Sequence, residues 1–231
     1  RTQWIQFLSM IFALSLLAGC QDPSPQVASG SKRIAVSLLT LEDDFFKDLQ
    51  AGLQEECDKL GYQLFVVDGA KDPKKQHDQL KRFELKQYDA VVVSPCDSAS
   101  IVQAIKTLNS NNIPVFTADI AADGGEVVCH IASNNVLGGR IAAQQMAKFM
   151  NGKGEVLIID HPEVTSVQQR VQGFEEELKA NFPNIKIIDK QGSEGDRTKA
   201  LEIARQALQN HPNLGGIFGI NDNCALGALR A

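Results

Sequence analysis

Residues 34–67 read IAVSLLTLEDDFFKDLQAGLQEECDKLGYQLFVV. The apolar run Ile34–Leu39 predicts a strand. Phe46, Leu49, Leu53, Cys57 and Leu60 then recur at helical spacing and form one apolar stripe. Gly61 follows the last of them, where a residue tolerant of positive φ closes a helix. A second apolar run, Gln63–Val67, predicts the next strand.

The alternation continues along the chain. Further strand-like runs fall at Ala90–Val93, Pro114–Phe116, Val127–Ala132, Val156–Ile159, Ile185–Ile188 and Gly216–Ile220. Between Val156–Ile159 and Ile185–Ile188, Val167, Val171, Phe174, Leu178 and Phe182 mark a helix over Thr165–Phe182. Short strands buried on both faces and alternating with helices predict an α/β fold with doubly wound parallel sheets. One seam breaks the pattern. Val127–Ser133 follows the preceding strand through the Gly-rich loop Asp123-Gly124-Gly125, with no helix between. We therefore expect two lobes, residues 33–133 and 134–231, each offering the carboxyl ends of its strands to a shared cleft. Residues 222–231 (DNCALGALRA) open a helix and stop mid-pattern, so the second lobe is expected to be incomplete.

The beginning of the chain speaks for its compartment. An apolar stretch, Ile5 to Leu17, leads into Leu17-Ala18-Gly19-Cys20. Small residues before a cysteine, after a segment of that length, resemble the lipobox of a bacterial lipoprotein signal. The resemblance implies removal of residues 1–19 and lipidation of Cys20, which tethers the domain to a membrane. The stretch is too short for a transmembrane anchor, which needs roughly 20 apolar residues. The chain opens at Arg1, so the charged start of the signal is expected to be incomplete. Residues 20–32 are rich in Pro, Ser and Gly and read as a flexible tether. An extracytoplasmic domain has no ATP or NAD, which weakens most cytosolic enzyme readings. With 43% apolar and 22% charged residues, the chain has an ordinary globular composition. The net charge of −5, without a basic run, speaks against a nucleic-acid partner. Cys57, Cys96, Cys129 and Cys224 lack zinc-site spacing and read as small buried thiols.

Several segments together then match one family: Asp44-Phe45-Phe46, Thr117-Ala118-Asp119, the run Gly125 to Gly139 (GEVVCHIASNNVLGG), Arg170 with Gly173-Phe174, and Asn221 to Ala231 (NDNCALGALRA). From about Arg33 onward the chain resembles the periplasmic sugar-binding proteins of type 1 fold, most nearly the ribose-binding group. The resemblance implies a monosaccharide held between two closing lobes. It also implies delivery to an ABC-type permease, or to a chemoreceptor, by a monomer without cofactor, metal or catalytic residues.

Ligand positions carry over residue by residue. Asp43 matches a position that accepts sugar hydroxyls, leaving Asp44 as the helix cap. Phe45 covers an apolar sugar face. Phe46 lies about 100° round the helix and serves either the cleft or the core. Asp119 and Ser133 end strands of the first lobe, and Asn135 starts the helix that follows; Ser133 and Asn135 are alternatives for its cap. Ser94 stands where the family often has Asn. In the second lobe, the Arg170 guanidinium can donate to two adjacent hydroxyls, and the Asn221 amide suits a vicinal diol, with Asp222 as the cap. Two positions depart from the ribose-binding pattern. Ile120 replaces an arginine and Gly195 an aromatic ring, so the expected ligand is a sugar other than ribose, such as a hexose or a less polar ring.

Rival readings are weaker. Asp160-His161-x-Glu163 suggests a metal or acid–base site but reads more simply as a polar loop. A carbohydrate-active hydrolase would need such a site. A sugar-responsive regulator would need a DNA-binding segment where the signal stands.

Overall fold

The computed structural model describes residues 30–231. The expected signal segment, Cys20 and most of the tether lie outside them. Residues Lys32–Ala231 form one compact unit. Its strands are β1 (Arg33–Leu38), β2 (Gln63–Asp68), β3 (Ala90–Val93), β4 (Val115–Ala118), β5 (Cys129–Ile131), β6 (Gly154–Asp160), β7 (Ile185–Gly192) and β8 (Leu214–Gly219). Its helices are α1 (Asp44–Leu60), α2 (Pro73–Leu85), α3 (Val102–Ser110), α4 (Asn135–Phe149), α5 (Thr165–Asn181), α6 (Arg197–Asn210) and α7 (Asp222–Arg230).

Every strand expected from the sequence forms. Two parallel sheets result, ordered β2-β1-β3-β4-β5 and β7-β6-β8. Strand β1 shows how the first is covered on both faces. Val36 and Leu38 turn to the cluster that holds Phe46 of α1, and Ala35 turns to Leu80 and Phe83 of α2. Between them the buried Ser37 hydroxyl donates to Gln79 at 2.8 Å and accepts from Gln76 at 3.1 Å, which locks α2 against the sheet. Helix α1 ends as its sequence predicts, with Gly61 at φ 67.

The seam between β4 and β5 is a loop that crosses over in place of a helix. Asn109 at the end of α3 holds it, accepting from Glu126 N at 2.9 Å and donating to Glu126 O at 3.0 Å. Strand β5 departs from expectation. All three of its residues are exposed, because it is the edge of its sheet. Cys129 is accordingly an exposed thiol, whereas Cys57, Cys96 and Cys224 are buried.

Helix α4 packs along α5 at glycine contact. A Cβ at Gly173 would lie 2.0 Å from the Val136 carbonyl oxygen, and one at Gly139 would lie 1.9 Å from that of Arg170. No larger residue allows this approach. Phe174 of α5 stacks on Phe218 of β8, centroids 4.3 Å apart, which seats α5 on the second sheet. A single cluster of buried apolar residues links the sheets, from Val36, Leu38 and Ile120 to Ile158, Val164 and Ile220. No helix among the described residues is long and apolar enough to cross a membrane.

Candidate ligand-binding cleft

In an open parallel sheet, neighbouring strands whose connections leave to opposite sides make a crevice at their carboxyl ends. Here those strands are β1 and β3 in the first sheet, and β6 and β8 in the second. The loops at these ends face one another. Asn223 of α7 donates to the Asp43 carboxylate at 2.8 Å. Thr165 N donates to the Ser98 hydroxyl at 3.1 Å, and Ala121 N donates to the Thr165 hydroxyl at 2.9 Å. Ser98 N donates to Glu163 O at 2.9 Å.

Asp43 is the N-cap of α1 by backbone, but its side chain makes no capping bond and turns to Asn223. Asp44, expected as the cap, instead opens the helix and pairs with Lys47 at 2.8 Å. Phe45 is 52% exposed, while Phe46 keeps only 4% of its surface open and belongs to the core. The two rings meet edge-on. Ser94 is fully buried and donates to the Ala118 carbonyl at 2.6 Å, so its proton is already engaged.

Asp119 takes φ 64, a left-handed conformation unusual for a residue with a Cβ. Burial raises its pKa, and the Arg170 guanidinium and His130 draw it back down. An acid after β4 and a cation on α5 therefore share one electrostatic environment.

Arg170 is half-buried and held from two sides. Its Nε donates to Asn135 Oδ1 at 2.8 Å and an Nη donates to the Ile220 carbonyl at 2.9 Å. Asn135, 3% exposed, thus positions the guanidinium. Its own Nδ2 is enclosed without a partner among the described residues. The cap of α4 is neither Ser133 nor Asn135 but Asn134, whose side chain accepts from Leu137 N at 3.0 Å. Ser133 is exposed. Asn221 lies beside the Ile220 carbonyl that Arg170 holds. It also takes the capping duty expected of Asp222, accepting from Cys224 N at 2.8 Å, which leaves its Nδ2 free of that role.

Two residues escaped the sequence reading. Asn223 sits in a stretch that reads only as the start of a helix, and its partner Asp43 is 180 positions away. Thr165 reads as a helix start, yet its hydroxyl and amide both bond to loops of the first sheet. Among the described residues, no group of three His, Cys, Asp or Glu is placed to hold a metal ion.

Residues 34–231 match the periplasmic binding protein domain. The ribose import binding protein of Escherichia coli is 38% identical over 205 residues, which cover 88% of this chain and 69% of that protein. Its Bacillus subtilis counterpart is 33% identical over 234 residues, covering 97% and 76%. Among solved structures, a Caulobacter myo-inositol binding protein bound to myo-inositol aligns with TM-score 0.80 and 29% identity, covering 86% and 68% of the two chains. A solute-binding protein from Actinobacillus succinogenes with bound D-allose aligns with TM-score 0.77 and 26% identity, covering 87% and 73%. By sequence and by the architecture of its two sheets, this chain belongs to the periplasmic binding protein family.

Proposed function

We propose that this protein is an extracytoplasmic solute-binding lipoprotein. It captures a monosaccharide between lobes 33–133 and 134–231 and passes it to an ABC-type permease. The observation that carries the reading is the hydrogen-bonded approach of the two sets of strand ends, Asn223 to Asp43 and Thr165 to Ser98 and Ala121, with Asp119 after β4 on one side and Arg170 on α5 on the other. A neutral polyol needs acceptors and donors on opposite walls, and this pair supplies both. Asp43, Phe45 and Ser133 extend the first wall and Asn221 the second. Ser94, Phe46 and Asn135 support these groups from behind, as their burial favours.

The family places the protein in the periplasm. We further propose that lipidated Cys20 holds it at a membrane, that it works as a monomer without cofactor or nucleic acid, and that it binds sugar without converting it. Relatives named for ribose and D-allose support a sugar ligand. Ile120 is 1% exposed and Gly195 has no side chain, so neither contributes the charge or ring that ribose binders carry there. This favours a hexose or another sugar over ribose.

Isothermal titration of the full chain against D-ribose, D-allose, D-apiose and myo-inositol tests the reading. Binding at micromolar or better corresponds to about −8 kcal/mol, within reach of several charge-assisted hydrogen bonds. The proposal fails if no sugar gives heat, or if the protein turns one over. A clear preference for ribose rejects the specificity argument alone.

A further inference from the structure

We infer that His161 contacts the ligand through Nδ1, beside the Asn221 amide, and so helps to set which sugars the cleft accepts. The inference rests on the sugar-binding reading above and adds to it a residue the family match does not supply.

His161 is the first residue after β6 and Asn221 the second after β8. These strands are neighbours, and their ends form the crevice of the second sheet. Gly195, beyond the end of β7, shows how closely the two side chains converge. A Cβ built there would lie 3.0 Å from Asn221 Nδ2 and 3.4 Å from His161 Nδ1. The amide nitrogen and the ring nitrogen both close on the α-carbon of Gly195, which at φ 63 has no side chain to come between them.

The polar atoms there are uncommitted. Asn221 Oδ1 is tied to Cys224 N, so Nδ2 presents its hydrogens outward. His161 exposes only 6% of its surface; Glu163 stands 3.7 Å from its Nε2, and Nδ1 makes no hydrogen bond among the described residues. Neither nitrogen is fully enclosed, since Asn135 Nδ2 alone among the described side chains is sealed off without a partner.

The charge state fits the role. Glu163, with Oε2 3.7 Å from Nε2, raises the proton affinity of the ring. Glu194 from the loop after β7 and Asp160 on β6 do the same. Lys71, from the loop after β2, opposes them. Burial outweighs all of these and lowers the pKa. The ring is then neutral at pH 7. With its proton on Nε2 toward Glu163, Nδ1 carries the lone pair. One ligand hydroxyl can donate to that lone pair while accepting from the Asn221 amide, an arrangement that discriminates against a sugar lacking the hydroxyl.

The test uses the full chain, titrated with the same four compounds at pH 7.5 and at a series of lower pH values through which the ring's titration is followed by NMR, as wild type, His161→Ala and His161→Asn. Circular dichroism and thermal melts verify folding. For the tightest-binding sugar, His161→Ala is expected to lose roughly 10–100-fold in affinity. His161→Asn, whose Oδ1 replaces the Nδ1 acceptor, is expected to recover most of that. Wild type weakens as pH falls through the lowered pKa of the ring and the lone pair is protonated, and the Asn variant does not. Wild-type binding matched within two-fold by both variants, with identical pH profiles, overturns the role of His161 and leaves the sugar-binding reading standing. If the Ala variant does not fold, a pH profile in His161→Asn identical to wild type overturns it equally. If wild type binds none of the compounds, both readings fall.

Discussion

Replacing Gly173 by alanine tests how the fold aims the cleft. The new Cβ would lie 2.0 Å from the carbonyl oxygen of Val136, a backbone atom that cannot rotate aside. Ordinary contact requires about 3.5 Å, so α4 and α5 must part by roughly 1.5 Å. Overpacking of this kind costs typically 1–3 kcal/mol, and a backbone clash belongs at the upper end, about 3 kcal/mol. For a domain of this size that lowers Tm by roughly 6–12 °C. The same movement acts on the site. Arg170 on α5 donates to Asn135 on α4 at 2.8 Å, and parting the helices carries that bond past hydrogen-bond reach. The guanidinium loses one of its two anchors, and sugar affinity falls about ten-fold, the equivalent of one hydrogen bond. Thermal melts and titration calorimetry measure both effects. Gly52→Ala is the control, because a Cβ there meets nothing within 4 Å and a helical alanine is favoured over glycine. A Gly173→Ala protein melting within 2 °C of wild type would refute the reasoning.

Other outcomes follow from the same geometry. Arg170→Ala removes two charge-assisted bonds, to Asn135 and Ile220, so it should lower stability by about 2–3 kcal/mol as well as weaken binding; denaturant titration beside calorimetry separates the two. Burial raises the pKa of Asp119, so its contribution to stability is fully present below the unfolded value of 3.8 and is lost as pH rises through the raised folded pKa. Melting curves of Asp119→Asn across that window should lack this decline, while the variant binds sugar poorly. Burial also raises the thiol pKa values of Cys57 and Cys224, and that of Cys96 to about 12. Brief alkylation of the native protein followed by peptide mapping should therefore label Cys129 well ahead of these three.

Part of the proposed cleft was legible because strand ends carry function in parallel sheets: Asp119 and Asn221 follow β4 and β8 directly and Asp43 lies in the loop after β1. Arg170, in the second turn of α5, came forward only through the family resemblance. Their exact duties were not legible. The N-cap position moved from Asp44 to Asp43, whose carboxylate makes no capping bond, and the capping side chain moved from Ser133 or Asn135 to Asn134 and from Asp222 to Asn221. A shift of one residue along the chain costs little in local propensity, since Asn, Asp and Ser all cap well. Tertiary partners decide it. Asn135 is occupied by Arg170, and Asp43 is drawn to Asn223.

The order of strands and helices, the apolar face of each helix and the closing role of Gly61 were settled by the chain itself. Period and backbone freedom are local properties that hold before anything packs. Which side chains look into the cleft was settled only by folding. Ser94 and Phe46 occupy plausible ligand positions yet turn inward, because a carbonyl and an apolar cluster already wait there. His161, dismissed as part of a polar loop, lies beside Asn221 because β6 and β8 are neighbours, a relation between residues 60 positions apart that no local pattern encodes.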